Sequence, residues 1–349
     1  FSSKIAKNLR KIGIAGGDWA IAGAASVYGI PLGDLEESPM LEGYFENAAT
    51  QKDLLATIVP GVLDKIEKRK EPSKEILVLD LGAADGFNSL YLYKAIQNVC
   101  PNLTIGLVDL PRNNFEAARK HVSEHFTGNI LPGVSEDQTE LTINAGSTLD
   151  LQRINFLQNA FTSKNKVSGS FGKKTKNKNN GACVMVAGNF YEQLVKPASV
   201  DIMVVNASLW FLSRHVDNPF AVDCTPVTAG VPEADDDYLH FLKLREGELK
   251  PGGSLHATIA FYDKDGKNNK EGHDRTHMNT FNLLNDMLKE FVEQEKLSQQ
   301  DYESFCVPIA HRSMDQIKKP FVEKLVPTLE LEECDVVRQE SRAKTSKIS

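Results

Sequence analysis

The sequence predicts an α/β fold in which a doubly wound sheet of parallel strands carries a helical cap. An apolar run, Ile76–Leu79, leads into a turn with two glycines, the pattern of a buried parallel strand followed by a ligand-binding loop. A second apolar run, Leu103–Val108, follows at the spacing of a strand-helix-strand unit. With 349 residues, of which 41% are hydrophobic, the chain can bury one large core and a smaller addition.

The turn after the first strand combines glycines with acids. Gly82 and Gly86 let the backbone approach a ligand where a Cβ atom would collide, and Asp80 and Asp85 place two carboxylates beside them. These carboxylates would repel a pyrophosphate, and the Gly-x-Gly-x-x-Gly pattern of NAD and FAD sites is absent from the turn. They would attract the sulfonium and ammonium groups of S-adenosylmethionine (SAM). The turn therefore predicts a SAM site, with an ordinary strand-to-helix turn as the alternative.

The later apolar runs continue the same alternation. The second strand ends on Asp109, where doubly wound folds place the acid that hydrogen-bonds a ribose diol. Two further runs, Val200–Val205 and Leu255–Phe261, are separated by a helix stop and tight turn at residues 249–253. Together these runs indicate a parallel sheet with its ligand at the carboxyl ends of the strands.

Composition and charge disfavour several classes of function. The net charge of -7 disfavours nonspecific nucleic-acid binding, which depends on clustered Lys and Arg. Five widely spaced cysteines without a Cys-x-x-Cys pair indicate neither a disulfide framework nor a zinc site, so a reducing compartment is expected. No stretch approaches a transmembrane span. The basic N-terminus lacks a long apolar core, which leaves open a targeting segment that has been removed.

Residues 163–180 form a Lys-rich segment with six lysines, no acid and almost nothing that could be buried. Such a composition is typical of a mobile surface loop. An arm that binds phosphate or a partner is the alternative interpretation.

Five motifs occur in one characteristic order. The cofactor-strand motif comprises Asp80, Leu81, Gly82, Gly86, Asn88, Ser89 and Leu90. The next motif comprises Asp109, Leu110, Pro111, Asn113, Asn114 and Phe115. An adenine-side motif, changed at two positions, comprises Ala187, Gly188, Asn189, Phe190 and Tyr191, with Leu194 and Pro197 in step. A helical motif comprises Asp237, Tyr238, Phe241, Leu242, Arg245, Glu248 and Leu249. The fifth motif consists of two C-terminal segments, 284–287 and 302–308. In these motifs the chain resembles the plant-type SABATH methyltransferases, named for salicylic acid, benzoic acid and theobromine methylation.

An N-terminal motif of this family reaches over both cofactor and substrate, and it is matched here by Tyr44, Asn47 and Gln51. Tyr44 and Gln51 are two helical turns apart, so both side chains could face one site. A tyrosine packed in the core is the alternative. The family's glycine-rich lid is not in register, because Gly16 and Gly17 lie too far upstream.

The chain departs from the family in the acceptor pocket. The pocket tyrosine, histidine and tryptophan of the family are replaced by Ala207, Trp210 and Phe211. Each donor lost from a buried anion costs about 1 to 3 kcal/mol unless it is replaced. Four side chains could supply replacement donors: Asn206, Gln51, Arg214 and His215. Alternatively, the two aromatic rings could form a wall for a cationic or thioether-bearing substrate, or they could only pack the cap onto the core.

The resemblance implies a Rossmann-like, SAM-dependent methyltransferase that acts on a small molecule, with a carboxyl oxygen as the acceptor. Transfer to nitrogen or sulfur, or SAM binding without catalysis, are the alternatives. The implied cofactor-binding residues are Tyr44, Asn47, Asp80, Gly82, Gly86, Asn88, Asp109, Leu110, Asn189 and Phe190. The implied substrate-binding residues are Gln51, Asn206, Trp210 and Phe211. Neither a metal nor a catalytic acid or base is expected, because the methyl group of SAM is already electrophilic and the protein supplies proximity and orientation.

Four parts are expected along the chain. They are an N-terminal segment over the active site (1–70), the SAM-binding α/β core (71–265) with the Lys-rich segment, a helical cap (266–320, with part of 216–236), and a return to the sheet with a C-terminal tail (321–349). A strand pair is predicted between residues 321 and 337. A small-molecule substrate, no nucleic acid and no membrane are expected as partners, in the cytoplasm, with a homodimer left open.

Overall fold

A computed structural model gives the fold of the protein. It describes residues 49–69, 75–84, 86–100, 102–110, 129–130, 166–168, 182–213, 232–259, 261–262, 286, 289–296, 298–304 and 312–337. Tyr44, Asn47, Asp85, most of the Lys-rich segment and most of the predicted cap lie outside the described residues.

One large sheet and one small one contain the described strands. The strands are β1 (Ile76–Leu81), β2 (Leu103–Asp109), β3 (Asn129–Ile130), β4 (Lys166–Ser168), β5 (Ala182–Ala187), β6 (Val200–Asn206), β7 (Leu249–Thr258), β8 (Phe261–Tyr262) and β9 (Arg312–Ser313). The large sheet has the order β3-β5-β2-β1-β6-β7, and β4 pairs with β5. Its ladders are parallel except for β4–β5. The small sheet pairs β8 with β9 in parallel.

Strand β1 lies in the middle of the large sheet, where the order of the strands reverses. Val78 pairs with Ile105 of β2 on one side and with Ile202 of β6 on the other. In doubly wound sheets the crevice at this reversal, outside the carboxyl ends of the strands, is where ligands bind. The prediction of an α/β doubly wound fold is confirmed.

Helices cover both faces of the sheet. The helices are α1 (Ala49–Glu67), α2 (Phe87–Gln97), α3 (Pro232–Glu248), α4 (Gln299–Ser304) and α5 (Met314–Val322). Because successive side chains of a strand point to opposite faces, Val78 packs in one core with Leu55 of α1, and Leu79 packs in the other with Phe241 of α3. All six residues of β1 are buried, as its continuous apolar run predicts.

Strand β5 was missing from the sequence-based prediction. Its residues 182–187 are almost entirely buried between β2 and the outermost strands. Strand β7 begins earlier than predicted, directly after α3, and its start contains Gly252 in the left-handed region with φ +79°. The register between β6 and β7 shifts between Val200 and Ile202, which accommodates this turn. Phe261 belongs to β8 in the small sheet, not to this strand.

The Lys-rich segment is not loop throughout. Residues 166–168 form β4, which pairs antiparallel with Met185–Ala187 of β5. Strand β3 reaches only Ala182 and Cys183 on the same edge of β5. The backbone groups farther along that edge would otherwise lack partners, and β4 satisfies them.

The predicted strand pair between residues 321 and 337 is wrong. Phe321 and Val322 end helix α5, which starts with a capping box between Ser313 and Gln316, and residues 323–337 contain no strand. Acidic residues are frequent between 330 and 335 and disfavour strand pairing. Side chains fix this segment instead: the hydroxyl of Thr328 donates to Glu246 of α3 over 2.7 Å, and Glu332 forms an ion pair with Lys65 of α1 at 2.5 Å.

Part of the predicted cap is described. Residues 289–293, which include Phe291 and Val292, are helical as expected from their apolar spacing. Phe281, Leu284 and Leu288, which precede them at the same helical spacing in the sequence, lie outside the described residues.

Candidate functional site

The turn after β1 has an unusual backbone that its sequence explains. Gly82 and Gly86 have φ of +78° and +74°, and Ala84 shares the left-handed region with φ +52°. Gly82 N and Ala83 N both donate to the carbonyl of Val108 at the end of β2, over 2.8 and 3.0 Å. The turn is thereby fixed against β2, with helix α2 starting directly after Gly86.

Gly82 is also required for space. A Cβ atom on residue 82 would lie 2.5 Å from Oγ of Ser208 and 3.7 Å from Cε1 of Phe190. Ser208 Oγ donates to the carbonyl of Leu81 over 3.0 Å. The glycine turn, the loop after β5 and the loop after β6 therefore converge at one point.

Two carboxylates stand at the ends of β1 and β2. Asp80 is buried and accepts a 2.6 Å hydrogen bond from the hydroxyl of Ser89. Asp109 accepts from the backbone of Ala84 over 2.6 Å and from its neighbour Leu110 over 2.8 Å. Neither carboxylate forms an ion pair with any residue of the described ranges. These two acids thus lie in a low-dielectric crevice without a compensating cation from that part of the chain.

Their burial alters how these acids titrate. Burial raises the pKa of Asp80 to about 6, the negative charge of Asp109 adds to this, and the Ser89 hydrogen bond opposes it. Burial likewise raises the pKa of Asp109 to about 6, and the two backbone N–H donors oppose it. A cation bound between them would favour the ionised forms of both.

Two predicted site residues carry buried carbonyl oxygens that accept no hydrogen bond from the described residues. They are Oδ1 of Asn88, in the first turn of α2, and Oε1 of Gln51, in the first turn of α1. A buried acceptor left without a donor costs about 1–3 kcal/mol. Hydrogen-bond donors of a ligand would satisfy both oxygens.

Asn206, at the end of β6, connects α1 to β7. Its Nδ2 donates to the backbone carbonyl of Gln51 over 2.8 Å, and its Oδ1 accepts from the hydroxyl of Thr258 over 2.8 Å. Thr258 Oγ1 in turn accepts from Ala207 N over 2.9 Å. One hydrogen of the Asn206 amide and its oxygen are therefore used to hold the protein together. Direct substrate binding by Asn206 stays a prediction.

Residues 207–213, which we call the acceptor loop, follow β6. Trp210 is buried and Phe211 is half-buried, with their rings 5.7 Å apart in an edge-to-face arrangement. The carbonyl of Leu209 accepts from Arg312 Nη1 over 2.7 Å, and Ser213 N donates to Asp237 over 2.7 Å. The loop is therefore fixed on both sides of its aromatic pair.

Residues 188–195, which we call the adenine-side loop, follow β5. Asn189 Oδ1 accepts from Tyr191 N over 2.9 Å and closes a local turn, and Gly188 N donates to the carbonyl of Asp109 over 2.8 Å. Phe190 is half-buried and packs edge-to-face on Phe241, with ring centroids 6.0 Å apart. Asn189 and Phe190 thus lie next to Asp109 and to the glycine turn.

The structure brings most of the predicted residues to one edge of the sheet. The described ones stand at the carboxyl ends of β1, β2, β5 and β6 or on the first turns of α1 and α2: Gln51, Asp80, Gly82, Gly86, Asn88, Asp109, Leu110, Asn189, Phe190, Asn206, Trp210 and Phe211. Tyr44 and Asn47 are not among the described residues.

Sequence reasoning missed four residues that hold the site together. They are Tyr191, Ser208, Thr258 and Arg312. Tyr191 belongs to a matched motif, and Ser208 follows a strand, so motif and position could have marked both. Thr258 and Arg312 act across 52 and 103 positions of sequence, respectively, and no local pattern marks them.

Neither a metal-binding cluster nor a membrane-spanning helix occurs among the described residues. No group of three or more His, Cys, Asp or Glu side chains in those ranges could hold a metal ion. Within the same part of the chain, no helix has the length and apolar character needed to cross a membrane.

Comparison with known proteins identifies relatives. Methyltransferase LUC1 from Fusarium sp is 28% identical over 144 residues, which are 41% of this chain and 37% of that protein. Methyltransferase FUS9 from Gibberella fujikuroi is 24% identical over 279 residues, which are 79% of this chain and 64% of that protein. The chain therefore spans less than two thirds of the length of these curated relatives.

A solved structure and a family model complete the comparison. The structure of loganic acid methyltransferase with SAH has a TM-score of 0.53 and 17% sequence identity, covering 81% of this chain and 73% of that one, and so shows the shared fold. The family model described as SAM dependent carboxyl methyltransferase matches residues 154–347, more than half of the chain. The prediction from the five ordered motifs is thus confirmed, and the chain belongs to the family of SAM-dependent carboxyl methyltransferases.

Proposed function

We propose that this chain binds SAM at the turn after β1 and promotes methyl transfer to a carboxyl oxygen of a small molecule. The observation that carries this proposal is the pair of carboxylates, Asp80 and Asp109, which have no ion-pair partner among the described residues. They stand where doubly wound sheets bind ligands. Family membership and this geometry support the same function.

The residues present fit SAM chemically. Asp80 and Asp109 have no ion-pair partner among the described residues, so their negative charges can attract the sulfonium and ammonium groups of SAM. The buried oxygens of Asn88 and Gln51 can accept hydrogen bonds from a ligand that has several donors. In this proposal Asp80 lies near the methionine end and Asp109 near the ribose. Tyr44, Asn47, the two glycines, Leu110, Asn189 and Phe190 complete the cofactor site. When bound, SAM supplies an electrophilic methyl group on a cationic sulfur.

The acceptor would be held by Gln51, Asn206, Trp210 and Phe211. Asn206 already donates to the Gln51 backbone and accepts from Thr258, so in this proposal it contributes mainly by placing α1. The Gln51 side chain supplies a polar group, and the two rings supply an apolar wall. Arg214 and His215, the other two candidate donors, lie outside the described residues. Among the described residues of the pocket, recognition in this proposal depends more on shape and aromatic contact than on a set of donors that fixes a carboxylate.

The chain's own contribution is binding, orientation and exclusion of water. A carboxylate acceptor is already nucleophilic, so the site needs no group to remove a proton from it. Holding two reactants in line can account for several kcal/mol of the activation barrier. The closely connected loops after β5 and β6 are suited to that task.

The test uses the purified chain, SAM labelled in the methyl group, and pools of carboxylic acids, amines and thioethers. A carboxyl methyl ester releases labelled methanol in mild base, whereas methylated amines and sulfonium products retain their label. We expect a base-labile product. A base-stable product would identify nitrogen or sulfur as the acceptor atom. SAH binding measured by calorimetry without any product would identify a SAM-binding protein that lacks catalysis.

A cytoplasmic location and a homodimeric assembly stay predictions from the sequence. Cys100, Cys183 and Cys334 are free thiols, which supports a reducing compartment. Cell fractionation and sedimentation velocity of the full chain test the two predictions separately.

A further inference from the structure

The adenine-side loop and the acceptor loop are joined by a direct hydrogen bond. The hydroxyl of Tyr191, on the first loop, donates to the carbonyl of Phe211, on the second, over 2.6 Å. Tyr191 is buried, and the carbonyl of the same residue is 3.0 Å from Nε2 of His240 on α3. The side chain and the backbone of Tyr191 are therefore both fixed.

Tyr191 is adjacent in sequence to Phe190, which faces the cofactor turn. Cε1 of Phe190 lies 3.7 Å from the position that a Cβ atom on residue 82 would occupy. The centroid of the Phe190 ring lies 4.8 Å from the centroid of the Tyr191 ring. A shift of Phe190 on ligand binding would therefore reach Tyr191 through the backbone and through the packed rings.

Among the described residues, the acceptor loop meets the cofactor side at two places. Ser208 donates to the carbonyl of Leu81 and lies before the first anchor of the loop, whereas Phe211 accepts from Tyr191 and lies between the two anchors. Leu209 is held by Arg312, and Ser213 is held at its backbone and hydroxyl by Asp237. Between these two anchors, the hydrogen bond from Tyr191 reaches the acceptor loop at the carbonyl of Phe211, directly after Trp210. Burial raises the pKa of the Tyr191 hydroxyl above its ordinary value, although the nearby Arg312 opposes this, so the hydroxyl keeps its proton and remains a donor at physiological pH.

We propose that Tyr191 is a positioning residue that couples occupancy of the cofactor turn to the packing of Trp210 and Phe211 in the acceptor pocket. This inference rests on the proposed function, because it assumes that SAM or SAH occupies the turn. Coupling between two sites is reciprocal, so the acceptor would affect cofactor affinity through the same bond. Specificity for the acceptor would then depend on the cofactor being present.

The experiment uses Trp210 as a fluorescent reporter in the full chain. The chain has two tryptophans, so Trp19→Phe leaves Trp210 alone. Acrylamide quenching of Trp210 is measured with and without saturating SAH, and SAH affinity is measured by calorimetry. Tyr191→Phe removes only the hydroxyl, and Tyr93→Phe makes the same change at a buried tyrosine of α2 in the other core.

SAH is expected to reduce the quenching of Trp210 in the parent protein and in Tyr93→Phe. In Tyr191→Phe this SAH-dependent change should be lost, while SAH affinity stays within about threefold, because the removed hydrogen bond lies outside the cofactor turn. An unchanged quenching response in folded Tyr191→Phe that binds SAH would overturn the inference. Lack of SAH binding by the parent protein would instead overturn the proposed function, and the inference with it.

Hydrogen exchange of the parent protein gives a second measurement that does not depend on the folding of a variant. SAH should slow amide exchange in residues 188–195 and 207–213 together. Slowing confined to the adenine-side loop would contradict the coupling.

Discussion

The guanidinium of Arg245 lies 2.8 Å from the carboxylate of Glu248, and both of these helix α3 side chains are buried. Each partner also bonds the adenine-side loop. Arg245 donates to the carbonyls of Phe190 and Glu192, each over 2.9 Å, and Glu248 accepts from Leu194 N over 2.6 Å. The ion pair therefore fixes the backbone that presents Asn189 and Phe190 to the crevice.

Replacing Arg245 by methionine should lower the free energy of unfolding by about 3–5 kcal/mol, because it leaves the Glu248 carboxylate buried without its cation. Denaturant unfolding measures this change, and calorimetry should show weaker SAH binding. Lys68→Met is the matched control, since Lys68 pairs with Asp64 on the surface at 2.7 Å and that variant should unfold like wild type. Equal unfolding midpoints for the two variants would refute the assigned role.

Removing both charges should not restore stability. In many proteins a buried ion pair can be exchanged for apolar residues at little cost. Here the double variant Arg245→Met with Glu248→Leu also leaves the backbone groups of the adenine-side loop without partners. It should therefore remain at least about 2 kcal/mol less stable than wild type, as measured by the same unfolding experiment.

Three glycine-to-alanine variants separate backbone strain from crowding. A Cβ atom added at Gly247, in α3, would have no neighbour within 4 Å, so this replacement should stabilise the helix by up to about 1 kcal/mol. Gly252 is equally uncrowded but has φ +79°, so strain alone should cost roughly 1–2 kcal/mol. Gly82 has both the left-handed φ and the 2.5 Å approach to Ser208, so overpacking should add about 1–3 kcal/mol.

Denaturant unfolding of the three variants measures this ranking of their free energies of unfolding. Calorimetry with SAH adds a measurement of binding. Only Gly82→Ala should lose SAH binding, because only that Cβ enters the crevice. Normal SAH affinity in Gly82→Ala would show that the turn does not contact the cofactor.

SAH affinity should rise with pH through about 6. The free protein holds Asp80 and Asp109 with pKa values of about 6, and the ammonium group of SAH favours their ionised forms. Below about pH 6, binding must release protons, so calorimetry in buffers of different ionisation enthalpy should detect that release. Asp109→Ala should weaken binding by roughly 1–3 kcal/mol and reduce the released protons. Unchanged affinity in Asp109→Ala would remove Asp109 from the site.

Stability without ligand should respond to pH in the opposite sense. The ordinary pKa of these acids is 3.8, so between about pH 4 and 6 the folded state binds more protons than the unfolded state, and stability falls as pH rises. Burial lowers the pKa of His256 from 6.5 to about 4, which makes stability rise with pH between those two values. Urea unfolding of Asp80→Asn, Asp109→Asn and wild type separates these contributions, because each variant should lose part of the downward slope.

Trp210 should determine the acceptor. Wild type is expected to methylate salicylate and benzoate poorly, since the histidine and tryptophan donors of related pockets are absent. Trp210→Ala should lose about 3–5 kcal/mol of stability through the cavity and should also raise the KM for the true acceptor. Leu92→Ala, in the core on the other face of the sheet, should lose stability with unchanged acceptor kinetics. Efficient turnover of salicylate by wild type, or unaltered kinetics of folded Trp210→Ala, would assign Trp210 to packing alone.

Patterns near β1 predicted much of the fold and the site. A continuous apolar run, two glycines and an acid at the end of each of two strands can be recognised within a few neighbouring residues, and the structure places Asp80, Gly82 and Asp109 at the ends of β1 and β2. Their contacts with a cofactor stay predictions. The parallel order follows from the same runs. The resemblance to a known family extended the prediction of site residues to the adenine-side loop.

The parts of the fold and of the site that were not predicted depend on contacts between residues far apart in the sequence, which no short pattern contains. The buried strand Ala182–Ala187 follows a Lys- and Asn-rich stretch, which hid its apolar run. The predicted strands between residues 321 and 337 were wrong because the capping box at Ser313 starts a helix that runs to Val322, and the acidic residues between 330 and 335 disfavour strand pairing after it. Arg312 bonds Leu209 from 103 positions away, and only the folded chain brings that donor and that carbonyl together.

The central place of β1 in the sheet governs the order in which the protein can form during synthesis. Asp201 of β6, which accepts a hydrogen bond from Leu77 of β1, follows it by 124 positions. At a translation rate of about 5–20 residues per second, roughly 6–25 s pass between the two strands. For most of that interval β1 and β2 have been synthesised, while the edge of β1 that will pair with β6 stays open, and such an edge on a largely apolar strand promotes aggregation. Protection by chaperones is therefore needed most while residues between β2 and β6 are being made.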